Sequence, residues 1–146
     1  IEHEGANYRL NAIHLSEPSP QRTPVLYQAG TSPRGRQFAA EHAECVFMSG
    51  PTAKIIGPRV AAIRAQAKEI GRNPAEVERT MLHRVLFDHE ADGAISGSVD
   101  RIVDQIGGYA ALGVSHMAVF FLQRGGVEAR LEAIQRFAEE VRPQLG

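Results

Sequence analysis

The run Pro24-Val25-Leu26-Tyr27-Gln28-Ala29-Gly30-Thr31-Ser32-Pro33-Arg34-Gly35-Arg36 holds the residues best suited to binding an anion. Apolar residues of strand character lead into Gly30. Ser32 is a good helix N-cap, and Pro33 suits the first helical position. A strand that ends in glycine beside a helix N-terminus leaves backbone N–H groups and the positive end of the helix dipole aimed at one spot, which favours a phosphate or carboxylate. Arg34 and Arg36 add charge close by. The same residues would also make a plain strand-to-helix link, so the turn alone leaves both readings open. Gln123-Arg124-Gly125-Gly126 is a second glycine turn between an apolar strand and a helix, and tight-turn geometry by itself would account for its glycines.

The other reactive side chains invite plainer readings. His3, His14, His42, His83, His89 and His116 include no pair at a metal-ligand spacing, and Cys45 has no nearby partner, so no metal site is expected. His83 lies in a strand, either as a proton donor facing a site or as a packed residue. His42, near a helix end, faces solvent or favours the helix dipole. Cys45 opens an apolar strand and reads as a small buried hydrophobe. Asp88, His89, Glu90 and Asp92 form a polar run that suits a solvated loop better than a metal site or a catalytic carboxylate pair.

The elements that must position these residues alternate. Residues 1–15 read as a short hairpin or irregular lead-in, with Tyr8, Leu10 and Ile13 apolar, and Ser16 to Pro24 is a proline-bearing loop. A strand is expected over Val25–Ala29 and a helix from Pro33 to about Ala43, with Phe38, Ala39 and Ala43 inside. A second strand covers Glu44–Met48. A long helix then starts at Thr52 and ends at Gly71, its core face carried by Ile56, Val60, Ile63, Ala67 and Ile70. Asn73-Pro74-Ala75-Glu76 reads as a capped single turn. A third strand covers Thr80–Phe87, and Asp88–Gly97 is a loop. Ser98 caps a helix that buries Val99, Ile102, Val103, Ile106 and either Tyr109 or Ala110. The run Met117–Leu122 reads as a strand buried on both faces. A last helix carries Val127, Leu131, Ile134, Ala138 and Val141 inside. Four βα units in residues 24–146 argue for parallel strands with right-handed crossovers, either as an open four-stranded sheet or as half of a (β/α)8 barrel.

Composition sets the frame. The chain has 146 residues, a net charge of -1, 43% hydrophobic residues and one cysteine, which fits one soluble α/β domain from a reducing cytoplasm. No basic footprint suggests nucleic acid, and no apolar run or leader suggests a membrane. The sequence starts at Ile1 inside apparent structure, so a longer chain is expected.

From Gln28-Ala29-Gly30-Thr31-Ser32-Pro33-Arg34-Gly35 through Arg36-Gln37-Phe38-Ala39-Ala40-Glu41-His42-Ala43-Glu44-Cys45-Val46-Phe47, the sequence resembles the bacterial luciferase-like flavin-dependent monooxygenases. It is most similar to the branch with nitrilotriacetate, dibenzothiophene-sulfone, long-chain alkane and dimethylsulfide monooxygenases. The lead-in His3-Glu4-Gly5 with Tyr8-Arg9-Leu10, the approach Pro18-Ser19-Pro20-Gln21-Arg22, and Ile95-Ser96-Gly97-Ser98 through Ile106 share the likeness.

The resemblance implies a (β/α)8 TIM-type barrel, of which residues 1–146 would be the C-terminal half, with 1–23 as lead-in and loop. The family's long insertion between the third and fourth of these strands would be reduced to Asp88–Gly97. It also implies an FMNH2-dependent two-component monooxygenase that oxygenates a small organosulfur or alkane-like substrate through a flavin peroxide. O2 and an NAD(P)H-dependent flavin reductase would be its partners. The FMN phosphate would lie on Gly30, Thr31 and Ser32, with Gln28 toward the ribityl chain or ring edge and Arg124 and Gly125 as a second candidate. No catalytic residue is implied. A half-barrel with unpaired edges would form a homo-oligomer, and a non-catalytic half-barrel binding a phosphorylated ligand is the alternative from another class. A deazaflavin-dependent oxidoreductase of the same superfamily is a further one.

Overall fold

The computed structural model describes residues 1–13, 17, 20, 24–30, 32–50 and 52–146, so Thr31, His14 and Pro18 lie outside the described residues. The lead-in is a small antiparallel hairpin of β1 (Glu2–Glu4) and β2 (Arg9–Asn11), closed by the Gly5 N–H on the Tyr8 carbonyl at 3.0 Å. The body then runs β3 (Tyr27–Gln28), α1 (Pro33–His42), β4 (Cys45–Met48), α2 (Ala53–Glu69), a 3-10 turn (Pro74–Glu76) and β5 (Glu78–Phe87). It continues through β6 (Ile95–Gly97), α3 (Val99–Ala111), β7 (His116–Phe121) and α4 (Gly126–Arg136), and ends in a π-turn (Phe137–Val141) and a 3-10 turn (Arg142–Gln144).

The expected caps form. Ser32 Oγ accepts from the Gly35 N–H at 3.0 Å, Asn73 Oδ1 from the Ala75 N–H at 3.1 Å, and Ser98 Oγ from the Arg101 N–H at 3.4 Å. The 3.6-residue face of α2 also falls where the spacing puts it, with Ile56, Val60, Ile63 and Ala67 buried. Ile70 caps that helix and is exposed.

β3, β4, β5 and β7 lie side by side in chain order, all parallel. Residues from all four helices (Ala39, Ile56, Ile102 and Ala133 among them) join Val46, Met81, Val85 and Phe87 in one core. Sequential strands with every helix on one face are the winding of a (β/α) barrel. A doubly wound sheet would reverse strand order and carry helices on both faces. Alternation along β5 shows the two sides. Met81, His83, Val85 and Phe87 are buried under the helices, whereas Leu82 and Arg84 point to the open side.

Besides Ile70, five expectations are corrected. Val25–Ala29 shortens to the two-residue β3, because pairing begins only where Tyr27 meets Cys45, and Val25 and Leu26 are exposed. The loop Asp88–Gly97 contains β6, which pairs with the end of β5 from Val85↔Ile95 to Phe87↔Gly97. Met117–Leu122 is not buried on both faces. Met117, Val119 and Phe121 are half-buried against the helices, while Ala118, Phe120 and Leu122 face the open side. The last helix and the π-turn after it turn Ala133, Phe137 and Val141 toward the core and leave Val127, Leu131, Ile134 and Ala138 exposed. Phe38 is likewise exposed, in a tilted ring contact with His42 at 4.7 Å between centroids, so α1 packs through Ala39, Ala40 and Ala43.

Candidate functional site

Because every strand of the sheet is parallel, all the turns after strands gather at one rim. The described residues there are Ala29, Gly30 and Ser32 after β3, Ser49, Gly50 and Thr52 after β4, Asp88–Ala94 after β5 and Leu122–Gly125 after β7. In (β/α) barrels this is the face that carries the chemistry.

At the first turn two glycines touch. A Cβ on Gly30 would lie 2.9 Å from Gly35 Cα, and a Cβ on Gly35 would lie 2.9 Å from Gly30 Cα. The strand end and the first turn of α1 therefore approach backbone to backbone, a closeness only glycine allows on both sides. Among the described residues, the N–H groups of Ser32 and Arg34 have no acceptor. No carboxylate occupies the first turn of α1. Ser32 Oγ uses a lone pair on Gly35, which leaves its proton free to donate outward. Exposed N–H groups, a free hydroxyl proton and the helix dipole together suit a phosphate.

Gln28 is in register with Val46, on the helix side of the sheet, and its Oε1 accepts from the Ala29 N–H at 3.0 Å. At the second glycine turn, Gly125 is the N-cap of α4 at φ 118° and Gly126 follows at φ 86°, so backbone conformation demands both glycines. Arg124 is exposed. β3 and β7 are three strand spacings apart, about 14 Å at about 4.8 Å each. One phosphate cannot touch both glycine turns, so the structure brings Gln28, Gly30 and Ser32 together and leaves Arg124 and Gly125 apart.

His83 does not face the open side. Its Nε2 lies 2.8 Å from Tyr109 Oη in the buried layer between sheet and α3, and burial there holds its pKa below the ordinary 6.5, with Arg84 adding to the effect. Cys45 is buried with Sγ 2.8 Å from Thr80 Oγ1. The polar run after β5 is ion-paired. Asp88 binds Arg136 of α4 at 2.5 Å, Glu90 binds Arg101 of α3, and the Arg136 hydrogen bond holds the Asp88 carboxyl below its ordinary value.

Sequence reasoning missed Gly35 as the contact partner of Gly30, and it missed Arg59 and Arg84 at the rim. A five-residue glycine spacing across a strand-turn-helix junction was the available signal for the first. The arginines carry no local pattern, because Arg59 lies on α2 and Arg84 on β5, and only tertiary packing brings them together.

Residues 1–142 match the family described as luciferase-like monooxygenase. The long-chain alkane monooxygenase of Geobacillus thermodenitrificans is 53% identical over 78 residues, covering 53% of this chain and 18% of that protein. The dimethyl-sulfide monooxygenase of Hyphomicrobium sulfonivorans is 41% identical over 94 residues, 64% of this chain and 20% of that protein. Among solved structures, a long-chain alkane monooxygenase superposes with a TM-score of 0.68 at 24% identity, covering 98% of this chain and 45% of its own. A coenzyme F420-dependent tetrahydromethanopterin reductase from Methanopyrus kandleri gives 0.78 at 18% identity, covering 99% and 58%. These superpositions speak for the fold. The chain spans about half the length of the structures it matches. Among the described residues, no helix is long and apolar enough to cross a membrane.

Proposed function

The chain belongs to the luciferase-like monooxygenase family, and on that premise we propose that it forms the C-terminal half of a (β/α)8 barrel that works as an FMNH2-dependent two-component monooxygenase. The carrying observation is the Gly30–Gly35 backbone contact at the rim, beside Ser32 and Arg34 N–H groups that have no acceptor among the described residues, which fits the phosphate end of FMN. The open sheet face supports the half-barrel reading. Tyr27, Leu82, Phe120 and Leu122 lie bare on it, as barrel-interior residues would without the remaining strands.

Reduced FMN supplies the oxygen-activating chemistry when bound, and the protein binds and orients it. Thr31, Ser32 and the Gly30 backbone hold the phosphate, Gln28 stands beside them, and Arg124 and Gly125 line the rim about three strands away. O2 and an NAD(P)H-dependent flavin reductase complete the system. The named relatives support a small organosulfur or alkane-like substrate. The bare face and free edges also support assembly as a homo-oligomer, and the single cysteine supports a cytoplasmic location.

Titration with FMN tests this reading. Ser32→Ala removes a donor to the phosphate and weakens binding by about tenfold, whereas Ser32→Thr keeps both cap and donor and restores it. Unchanged FMN affinity in Ser32→Ala removes the turn from the site.

A further inference from the structure

Thr80 pairs with both Phe47 of β4 and His116 of β7, and Val85 pairs with both Ile95 of β6 and Phe121 of β7. β4 and β6 therefore share the edge of β5 opposite β7. β4 covers Glu78–Met81 and β6 covers Val85–Phe87, so Leu82, His83 and Arg84 have no strand beside them on that edge. The sheet has a three-residue notch, which begins where β4 ends at Met48 and is closed toward the end of β5 by β6.

A cleft of about 450 Å³ occupies this notch, between Ser49 and Gly50 at the end of β4 and Gly93 ahead of β6. That is roomy enough for a small organic molecule. A guanidinium stands at each lip. Arg59 donates to the Ser49 carbonyl, and Arg84 Nη2 donates to the Gly93 carbonyl at 3.2 Å. Among the described residues neither arginine has a carboxylate partner. His83 forms the floor, held by Tyr109 and by a backbone hydrogen bond with Gly50. Among the described residues no acidic side chain lines the cleft. Two fork-shaped cations facing one space, each bonded only to a neutral carbonyl, have the donor geometry that recognises an oxyanion.

We propose that this notch is an oxyanion subsite for the substrate, so that the compound oxygenated at this rim carries a carboxylate, sulfonate or sulfinate group docked between Arg59 and Arg84. The inference rests on the reading of the rim as a flavin-dependent active site and adds the charge of what enters it. The cofactor's phosphate is the other anion in such a site, and Arg59 also borders the small cavity beside Gly30, so the two sources must be separated by experiment.

Isothermal titration of the purified protein with sodium sulfate, against sodium chloride at matched ionic strength, provides the test. The expected result is saturable sulfate binding in the millimolar range, weakened about tenfold in Arg84→Gln and about tenfold in Arg59→Gln, and unchanged in Ser32→Ala. Arg84→Gln keeps a polar side chain at this position of the open face, and a thermal melt of each variant reads whether the fold is kept. Absence of sulfate binding beyond chloride overturns the proposal. So does binding lost in Ser32→Ala but kept in Arg84→Gln, which assigns the anion to the glycine turn, or an equal loss in all three variants, which reports a diffuse field. FMN titration of the same proteins reads the cofactor site separately: affinity for FMN is retained in Arg84→Gln, and its failure in the unmodified protein counts against the flavin reading alone.

Discussion

Replacing Gly30 by alanine tests whether the rim depends on backbone contact. The new Cβ would sit 2.9 Å from Gly35 Cα, and carbon atoms in contact prefer about 3.5 Å or more, so the strand end and α1 must part by about 0.6 Å. The obstacle is backbone, which cannot rotate aside as a side chain would. Overpacking of this kind costs about 1–3 kcal/mol, and the stiffer unfolded chain returns about 0.4–1 kcal/mol of it. A net loss of about 1–2 kcal/mol lowers Tm by about 2–8 °C in a chain of this size. Gly107→Ala is the internal control. Gly107 lies inside α3 with nothing within 4 Å of its would-be Cβ, so the same substitution raises stability there by about 0.5–1 kcal/mol. Thermal melts of the two variants side by side, with FMN titration of the first, read both effects. A Gly30→Ala protein as stable as Gly107→Ala, with FMN affinity intact, refutes the close-contact argument.

Two further predictions concern charge. His83 has a pKa below the ordinary 6.5, so the unfolded chain takes up a proton there more readily than the folded one, and stability falls as pH drops below about 6.5 until the depressed value is passed. Urea melts between pH 7.5 and 5 (on the order of that range) show this slope in the unmodified protein and a flatter one in His83→Gln; equal slopes discard the assignment. Asp88 sits at φ 60°, which asparagine tolerates, so Asp88→Asn removes the charge facing Arg136 and little else. The pair is exposed and its loss costs less than about 1 kcal/mol at neutral pH. Because the Asp88 carboxyl is held below its ordinary value of 3.8, that deficit persists down to about there and fades as pH falls further. A deficit undiminished in strong acid points to the asparagine side chain itself.

The parts of this fold that were legible in the sequence are those fixed within a few residues. Ser32, Asn73 and Ser98 each cap the helical turn that starts beside them, because a short oxygen-bearing side chain reaches an N–H two or three residues on, whatever the tertiary context. The face of α2 was legible because four apolar residues at helical spacing had a single layer to meet. Other features turn on partners far away in the chain. A three-residue strand such as Ile95–Gly97 is too short for any period, and only its pairing with Val85–Phe87 makes it a strand. The apolar runs Met117–Leu122 and Val127–Ile134 report how much burial their positions call for, and the bare side of β7 and α4 is the part of that demand these residues do not meet among themselves. The candidate site divides the same way. Its glycine turn is local and was legible, whereas its notch exists only because β4 stops at Met48 and β6 starts beside Val85. The register that leaves three residues of β5 uncovered exposes Arg84 beside the gap, and the packing of α2 behind the end of β4 brings Arg59 to its other side.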